Sequence, residues 1–275
     1  MSKDTVLMPG VFNAISAVSA TKAGAQALYV TGAGLTNGVL GVPDIALATQ
    51  TEFAQQASYV TAVTPLPVLS DADTGFGDAL SVMRTVIEME RAGLAGIHLE
   101  DQVSPKRCGH LDGKAVVETA DMVRKIRAAV DSKRDISFII CARTDAYGVE
   151  GLDAAIERAK AYVDAGADAI FPEGLQSEAE FEAFRNGVSG SLLANMTEFG
   201  KTPIIAVSRF RELGYQMVIF PMTAFRVMLK AIDECYLELI HKGTQAEILH
   251  SMRTRSELYE RIEYSAYDDK DKSWA

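Results

Sequence analysis

A chain of 275 residues, 48% hydrophobic and 23% charged, has the composition of a globular protein able to bury a large core. Its net charge of -10 excludes a nucleic-acid surface, which needs clustered Lys and Arg, and no apolar run approaches the length of a membrane span. Cys108, Cys141 and Cys235 are widely spaced and odd in number, which fits a reducing compartment; with no apolar signal region after Met1-Ser-Lys-Asp, a cytoplasmic protein is expected.

Taken in order, the chain repeats one unit: an amphipathic helix, a small-residue stop, a short apolar strand, then polar residues. Residues 21–32, 90–101 and 163–173 carry it, and Gly24, Gly93 and Gly166 fall where a helix needs a left-handed residue before the chain turns into a sheet. Eight apolar runs have strand length: 6–8, 27–30, 68–70, 96–99, 138–141, 169–171, 192–194 and 217–220. Eight parallel strands alternating with helices predict an α/β fold of the (β/α)8 TIM-barrel kind. Between them Val82, Val86 and Met89, and Ala155, Ala159 and Tyr162, keep helical spacing. Two further helices are expected after the eighth strand, from 225 to about 242 and from 247 to about 264, followed by a frayed charged tail from Tyr267. Residues 1–275 are thus read as a single barrel domain with a helical extension over about 225–264. The competing fold is an open doubly wound sheet, but Thr31-Gly-Ala-Gly-Leu-Thr-Asn-Gly matches the dinucleotide fingerprint only loosely, so no nucleotide cofactor is expected.

Reactive groups concentrate in residues 97–114. An apolar run ends in Glu100-Asp101-Gln102, and Cys108 then stands between Lys106-Arg107 and Gly109-His110, an electropositive setting in which a thiol exchanges protons near neutral pH. Taken alone the segment reads equally well as a solvated basic loop. Gly109 and Gly113 mark residues 103–114 as a lid expected to order over ligand.

Barrel enzymes place their chemistry at the carboxyl ends of the strands. There this chain carries Thr31 and Gly32, Asp71 and Asp73, Glu100, Arg143 and Asp145, Glu173, and Asn195, Thr197 and Glu198. Singly, each has a plainer reading: Arg143 with Asp145 as a structural ion pair, Glu173 as a cap after Pro172, Asn195 as an Asx turn. Delivered by six strands, they imply a common mouth. Asp71 and Asp73, two apart at a strand end, aim two carboxylates into one cavity while Gly75 and Gly77 let the backbone turn close by. Such hard oxygen ligands suit Mg²⁺, with Mn²⁺ as a substitute.

Together these residues resemble the isocitrate lyase and phosphoenolpyruvate mutase superfamily, and within it the 2-methylisocitrate lyases. The most specific piece is Lys106-Arg-Cys-Gly-His110, accompanied in order along the chain by Gly41-Val-Pro-Asp44, Asp71-Ala-Asp-Thr-Gly-Phe-Gly77, His98-Leu-Glu-Asp-Gln102, Ala142-Arg-Thr-Asp145, Phe171-Pro-Glu173, Asn195-Met-Thr-Glu-Phe-Gly200, Ala224-Phe-Arg226 and Thr254-Arg-Ser-Glu-Leu-Tyr259. The resemblance implies a barrel whose last helix is exchanged with a neighbouring subunit, in a homotetramer. It also implies that Thr31, Gly32 and Ala33 hold a pyruvyl carboxylate, that Asp71 and, partly through water, Asp73 bind Mg²⁺, and that Arg143 faces the developing keto oxygen. Glu100 and Glu173 would order metal-bound waters, and Cys108, Gly109, His110, Asn195, Thr197, Arg226 and Arg255 would surround the second product.

The implied reaction is a retro-Claisen cleavage of a small tricarboxylate, 2-methylisocitrate, to pyruvate and succinate, with Cys108 protonating the carbanion and Tyr29, His98 or a water on Glu100 as candidate base. After His110 the chain reads Leu-Asp-Gly-Lys, a form shared with relatives that cleave isocitrate, dimethylmalate and oxaloacetate, and Ala33 replaces a frequent glycine. The dicarboxylates dimethylmalate and oxaloacetate therefore stay open as substrates. Pro221, where oxaloacetate hydrolases carry serine, and Arg226, whose charge would meet no distal carboxylate in dimethylmalate, favour methylisocitrate. A non-catalytic carboxylate-binding barrel is the reading of a different class; Asp71, Asp73, Arg143 and Cys108 together weigh against it.

Overall fold

The structure, a computed structural model, describes residues 4–107 and 113–275. Its strands β1 (Val6–Val11), β2 (Leu28–Val30), β3 (Val68–Asp71), β4 (Gly96–Glu100), β5 (Ile139–Thr144), β6 (Ala169–Pro172), β7 (Ser191–Asn195) and β8 (Met217–Phe220) form a closed barrel in sequence order. Every neighbouring pair is parallel, including β1 with β8. The expected (β/α)8 barrel is therefore present, with strands that run up to three residues further than their apolar cores because the ladder continues into the polar ends.

Around it lie α1 (Ala14–Lys22), α2 (Gly32–Leu35), α3 (Gln50–Thr61), α4 (Ala79–Arg91), α5 (Thr119–Ser132), α6 (Tyr147–Glu150), α7 (Leu152–Asp164), α8 (Glu178–Gly187), α9 (Val207–Leu213), α10 (Thr223–Lys242), α11 (Arg255–Arg261) and α12 (Tyr264–Lys272). The starts of α1 and α3 follow from reciprocal capping boxes, Asn13 with Ser16 and Thr49 with Glu52. Gly24, Gly93 and Gly166 adopt the left-handed backbone expected of them, at φ 91°, 82° and 102°. The amphipathic faces of α4 and α7 bury Val82, Val86 and Met89, and Ala155, Ala159 and Tyr162, against the outside of the barrel.

Contacts divide the chain into two compact units, Met1–Ala224 and Phe225–Ala275. The second unit departs from expectation. In place of one helix from 247 to about 264 there are a 3-10 helix Ala246–Ser251, then α11 and α12. Thr254 caps α11 and closes a capping box with Glu257, which starts a new helix at that point, and Glu263 separates α11 from α12 at φ 57°. The tail expected to fray is instead helical through Lys272, with Lys272 paired to Asp268 one turn back and Lys270 over the Trp274 ring. This unit exposes Val227, Tyr236, Leu237, Ile240, Tyr267 and Trp274.

Candidate active site

Along a strand, side chains alternate between the two faces of the sheet. The bore is plugged by Tyr29, Leu69, Cys141, Phe171 and Leu193, with Met8 and Ile219. Two residues further on, on the same face of the pleat, stand Thr31, Asp71, Arg143, Glu173 and Asn195, and Glu100 follows His98 in the same way. All six are buried. The period of two thus turns an apolar plug into a polar mouth at the carboxyl end of the strands.

Arg143 is the centre of that mouth. Its Nε and Nη2 donate to Asp145 Oδ2 and Oδ1 at 2.8 and 3.1 Å, Nη1 lies 3.2 Å from Glu173 Oε2, and Nε lies 3.2 Å from Glu100 Oε2. The face of the guanidinium lies over the Phe171 ring at 5.1 Å. Arg143 and Asp145 are indeed an ion pair, but one set inside the mouth. Glu173 is no helix cap: it is buried, and its carboxylate accepts from Asn195 Nδ2 at 3.2 Å.

Beneath this lies a second group. Tyr29 Oη and His98 Nε2 are 2.8 Å apart, and His98 Nε2 is 3.6 Å from Asp71 Oδ1. Burial drives the imidazole down to about 4 against the pull of the Asp71 carboxylate, so it is neutral at physiological pH. Burial likewise holds the Tyr29 phenol well above its ordinary range, with Asp71 adding to the shift. Of the two side chains among the candidate bases, His98 rather than Tyr29 is therefore in a proton-accepting state.

Residues 71–77 form a strained turn. Asp73 takes φ 45°, rare for a side chain with a Cβ, and its N–H donates to Asp71 Oδ1 at 2.9 Å. The turn is docked on β4 by the Glu100 N–H, which donates to the Asp73 carbonyl. Asp71 and Asp73 respond differently to this setting. Burial opposes the charge of Asp71, but His98, Lys106 and Arg143 outweigh it and its carboxyl lies low; burial raises Asp73 to about 7, with Asp71 and Asp44 adding and Lys106 opposing. Since His98 is neutral, the cations Lys106 and Arg143 carry the Asp71 shift.

Lys106 faces inward, with Nζ 2.7 Å from Asp44 Oδ1 and 2.9 Å from Asp73 Oδ1. Its charge thereby meets two carboxylates of the chain itself, contacts that the sequence did not suggest. Gln102 pairs through both ends of its amide with the backbone N–H and carbonyl of Arg107. Cys108, Gly109 and His110, and with them part of the expected lid, lie outside the described residues.

Thr31 caps the short α2, accepting from the Gly34 N–H at 3.2 Å and donating to Met222 Sδ at 3.6 Å, so Gly32 and Ala33 occupy the first helical turn beside Asp71. Gly32 is needed there: a Cβ at this position would stand 2.4 Å from Asp71 Oδ2. Thr197 is half-buried, and Glu198 accepts from Thr223. Arg226 and Arg255 belong to the second unit, Arg226 in the first turn of α10 and Arg255 exposed at the start of α11, where Glu257 pairs with Arg253.

Among the described residues no group of three or more His, Cys, Asp or Glu is arranged to hold a metal. The donor chemistry nonetheless fits one. Asp73 Oδ1, both Glu100 oxygens and Asn195 Oδ1 are buried with no hydrogen-bond partner, the 2.9 and 3.2 Å contacts of Asp73 and Glu100 with Lys106 and Arg143 being charge contacts without hydrogen-bond angles. Unsatisfied buried oxygens cluster where an ion or ordered water belongs, and one or two carboxylates with waters are the usual Mg²⁺ set. A surface cavity of about 460 Å³ between Ile87, Arg91, Arg134 and Phe138 lies at the amino ends of β4 and β5, the face opposite the mouth.

A sequence model of the family described as phosphoenolpyruvate phosphomutase matches residues 1–240. A 2-methylisocitrate lyase of Aeropyrum pernix is 54% identical over 269 residues, covering 98% of this chain and 86% of that protein. The chain belongs to the phosphoenolpyruvate mutase/isocitrate lyase superfamily. Within this superfamily its fold superposes on a 2,3-dimethylmalate lyase with a TM-score of 0.94 at 35% identity, covering 99% of this chain and 91% of the other. It superposes equally broadly on an oxaloacetate acetylhydrolase bound to 3,3-difluorooxalacetate, with a TM-score of 0.92 at 35% identity over 99% and 93% of the two chains.

Sequence reading gives this superfamily member no role for the side chains of Asp44, Gln102 and Lys114, and none for Lys106 toward carboxylates of its own chain. Each acts across a loop. Lys106 meets Asp44 over a separation of 62 residues and Lys114 meets Asp145 over 31, and the only signal for such contacts was their place inside recognised motifs.

Proposed function

We propose that this chain is a Mg²⁺-dependent carbon–carbon lyase that cleaves 2-methylisocitrate to pyruvate and succinate. The observation that carries the reading is the buried Arg143 guanidinium set among Glu100, Asp145 and Glu173, beside carboxylate oxygens of Asp73 and Glu100 that have no hydrogen-bond partner. Similarity to 2-methylisocitrate lyases selects the substrate within the superfamily.

Asp71 and Asp73 would hold the metal, with Glu100 and Glu173 ordering its waters. When bound, Mg²⁺ supplies Lewis-acid stabilisation of the negative charge that develops as the carbon–carbon bond breaks. The protein's own groups do the rest. Thr31 and the Gly32 and Ala33 N–H groups bind the pyruvyl carboxylate, at a helix start where backbone donors are unpaired. A base removes the proton of the substrate hydroxyl, neutral His98 or a water held by Glu100 being the groups able to accept it. The O–H electrons become the carbonyl of pyruvate while the bond to the neighbouring carbon breaks, leaving its pair on that carbon and its carboxylate. Arg143 donates to the new keto oxygen, where a preorganised cation is most effective. Cys108 delivers a proton to the carbanion, giving succinate. In this reading Gly109, His110, Asn195 and Thr197 would bind the second product, and Arg226 and Arg255 are the cations assigned to its carboxylates.

The enzyme works as a homotetramer in which the last barrel helix is exchanged between subunits. The exposed apolar side chains of the second unit, Val227, Leu237 and Ile240 among them, support this, because an isolated chain would leave them in water. Residues 1–275 function as one domain with a helical extension. A cytoplasmic setting belongs to the same reading; among the described residues no helix is long and apolar enough to cross a membrane.

The test is product detection from purified protein offered 2-methylisocitrate, 2,3-dimethylmalate and oxaloacetate, each with Mg²⁺, with Mn²⁺ and with chelator. Pyruvate and succinate from 2-methylisocitrate, lost in chelator and restored by either metal, is the expected result. Faster pyruvate release from dimethylmalate, or acetate from oxaloacetate, would assign the neighbouring activity; release of nothing would favour a binding barrel.

A further inference from the structure

Lys114 stands in none of the roles above, yet its side chain is almost fully buried and its Nζ lies 2.8 Å from Asp145 Oδ1. That oxygen also accepts from Arg143 Nη2, at 3.1 Å. We propose that Lys114 is a positioning residue for the lyase reaction, acting through Asp145 to fix the bearing of the Arg143 guanidinium; the inference rests on the proposed function.

Backbone geometry delivers the lysine to this place. Gly113, at φ 78°, turns the chain, and Ala115 to Val117 then run antiparallel to the end of β4. The Val103 N–H donates to the Ala115 carbonyl, Gln102 bridges Val116, and the Val117 N–H donates to the Asp101 carbonyl. Arg158 of α7 holds the Val117 carbonyl at 2.7 Å. Asp101 in turn fixes the other partner. Its carboxylate accepts from the Asp145 N–H, the Thr144 hydroxyl and the Tyr162 phenol, each at 2.8 Å. Asp145 is therefore held from below through its backbone and from above through its carboxylate.

The carboxylate needs the second cation because the first has alternatives. Arg143 Nε has one hydrogen, directed at Asp145, while Glu100 and Glu173 wait at 3.2 Å. With Lys114 removed, Asp145 is gripped only by a guanidinium that two other carboxylates attract, and the fork can pivot away from the oxygen it must meet. Burying a lysine costs desolvation that a solvated staple between two loops would avoid. That cost is explained if the ammonium sets a geometry on which turnover depends.

The experiment compares Lys114→Met, which keeps length and loses charge, with Lys114→Arg, which keeps charge, on the full-length enzyme with Mg²⁺. Misplacing a reacting group by about 1 Å costs on the order of 100-fold, so Lys114→Met should lower kcat by about 10- to 100-fold with KM changed less than about 3-fold. Lys114→Arg should recover most of kcat. Oxalate affinity, read by calorimetry, should fall in Lys114→Met in step with kcat and recover in Lys114→Arg, since a small dicarboxylate probes the Arg143 bearing independently of turnover. In the Asp145→Asn background, Lys114→Met should cost nothing further, because both act through one carboxylate. Unchanged kcat and oxalate binding in Lys114→Met, or losses that add to those of Asp145→Asn, would overturn the proposal while wild-type turnover leaves the proposed function standing. A loss confined to thermal stability would do the same and leave Lys114 a structural staple.

Discussion

Lys106 Nζ lies 2.9 Å from Asp73 Oδ1, and both side chains are shut off from solvent. The ammonium also donates to Asp44 Oδ1 at 2.7 Å, so one cation joins the loop after β4, the turn after β3 and the segment before α3. Removing it with Lys106→Met strands two acidic groups. Breaking a buried pair typically costs about 3–5 kcal/mol, reduced here by whatever Asp73 recovers on taking up a proton. Its carboxyl already titrates at about 7, chiefly through burial, so that relief is within reach. Chemical denaturation at pH 7 and pH 5.5 checks this: the variant's deficit should be smaller at the lower pH, and a deficit independent of pH would place Asp73 outside the pair.

Asp145 gives a pH dependence of opposite sense. Burial works against its charge, but Arg143 and Lys114 outweigh burial and hold the carboxyl below the usual range. A lowered folded pKa contributes stability that is present above the unfolded value, near 3.9 for aspartate, and lost as pH falls through the folded value. Asp145→Asn should therefore cost about 3–5 kcal/mol at pH 7, typical of a broken buried pair. The gap to wild type should close progressively below about pH 4. Unfolding free energies measured down the pH scale decide it, and a gap that widens in acid would show the carboxyl is not held low.

Gly32 is defined by what it excludes. Its φ is ordinary, so alanine is allowed by the backbone, but the added Cβ would meet Asp71 Oδ2 at 2.4 Å and Cγ at 2.8 Å. The carboxylate must move. Gly32→Ala should raise the Mg²⁺ concentration needed for half-maximal activity and lower kcat by roughly 100-fold, the usual effect of a displacement near 1 Å. Thermal stability should change little, because the clash is relieved by one side chain at the mouth. Wild-type Mg²⁺ dependence in this variant would show that Asp71 is not a metal ligand.

The barrel is legible in the sequence because its signals are local. Each strand alternates over two residues, so Leu69 and Asp71, Cys141 and Arg143, Phe171 and Glu173 announce plug and mouth together, and Gly93 or Gly166 marks the stop before the strand. Boundaries at the strand ends are less legible, since polar residues such as Asp71 and Thr144 remain in the ladder. The second unit was only partly legible, and for a correctable reason: Thr254-Arg-Ser-Glu257 is a capping-box pattern that places a helix start inside a stretch whose periodicity reads as continuous. What no local reading could supply is the pairing of Lys106 with Asp44 and of Lys114 with Asp145. In sequence Lys106 is a lysine two residues before a cysteine, and only the fold adds that the carboxylates of Asp44 and Asp73 face it.

Arg226 offers a test of the proposed substrate. It sits in the first turn of α10, where a cation is unfavourable against the helix dipole, so helix formation alone does not explain its position. Methylisocitrate carries three carboxylates: one leaves with pyruvate, one delocalises the carbanion and one lies at the far end of the succinate fragment. Dimethylmalate lacks the last. If Arg226 grips that distal carboxylate, Arg226→Met should cost about 2–5 kcal/mol in kcat/KM for methylisocitrate, the range for truncating a desolvated charge pair. The same substitution should leave cleavage of dimethylmalate far less affected. Steady-state kinetics on both substrates, wild type against variant, reads this directly. Equal losses on the two would remove Arg226 from substrate recognition, and a wild-type enzyme faster on dimethylmalate would move the chain to the neighbouring activity of the same superfamily.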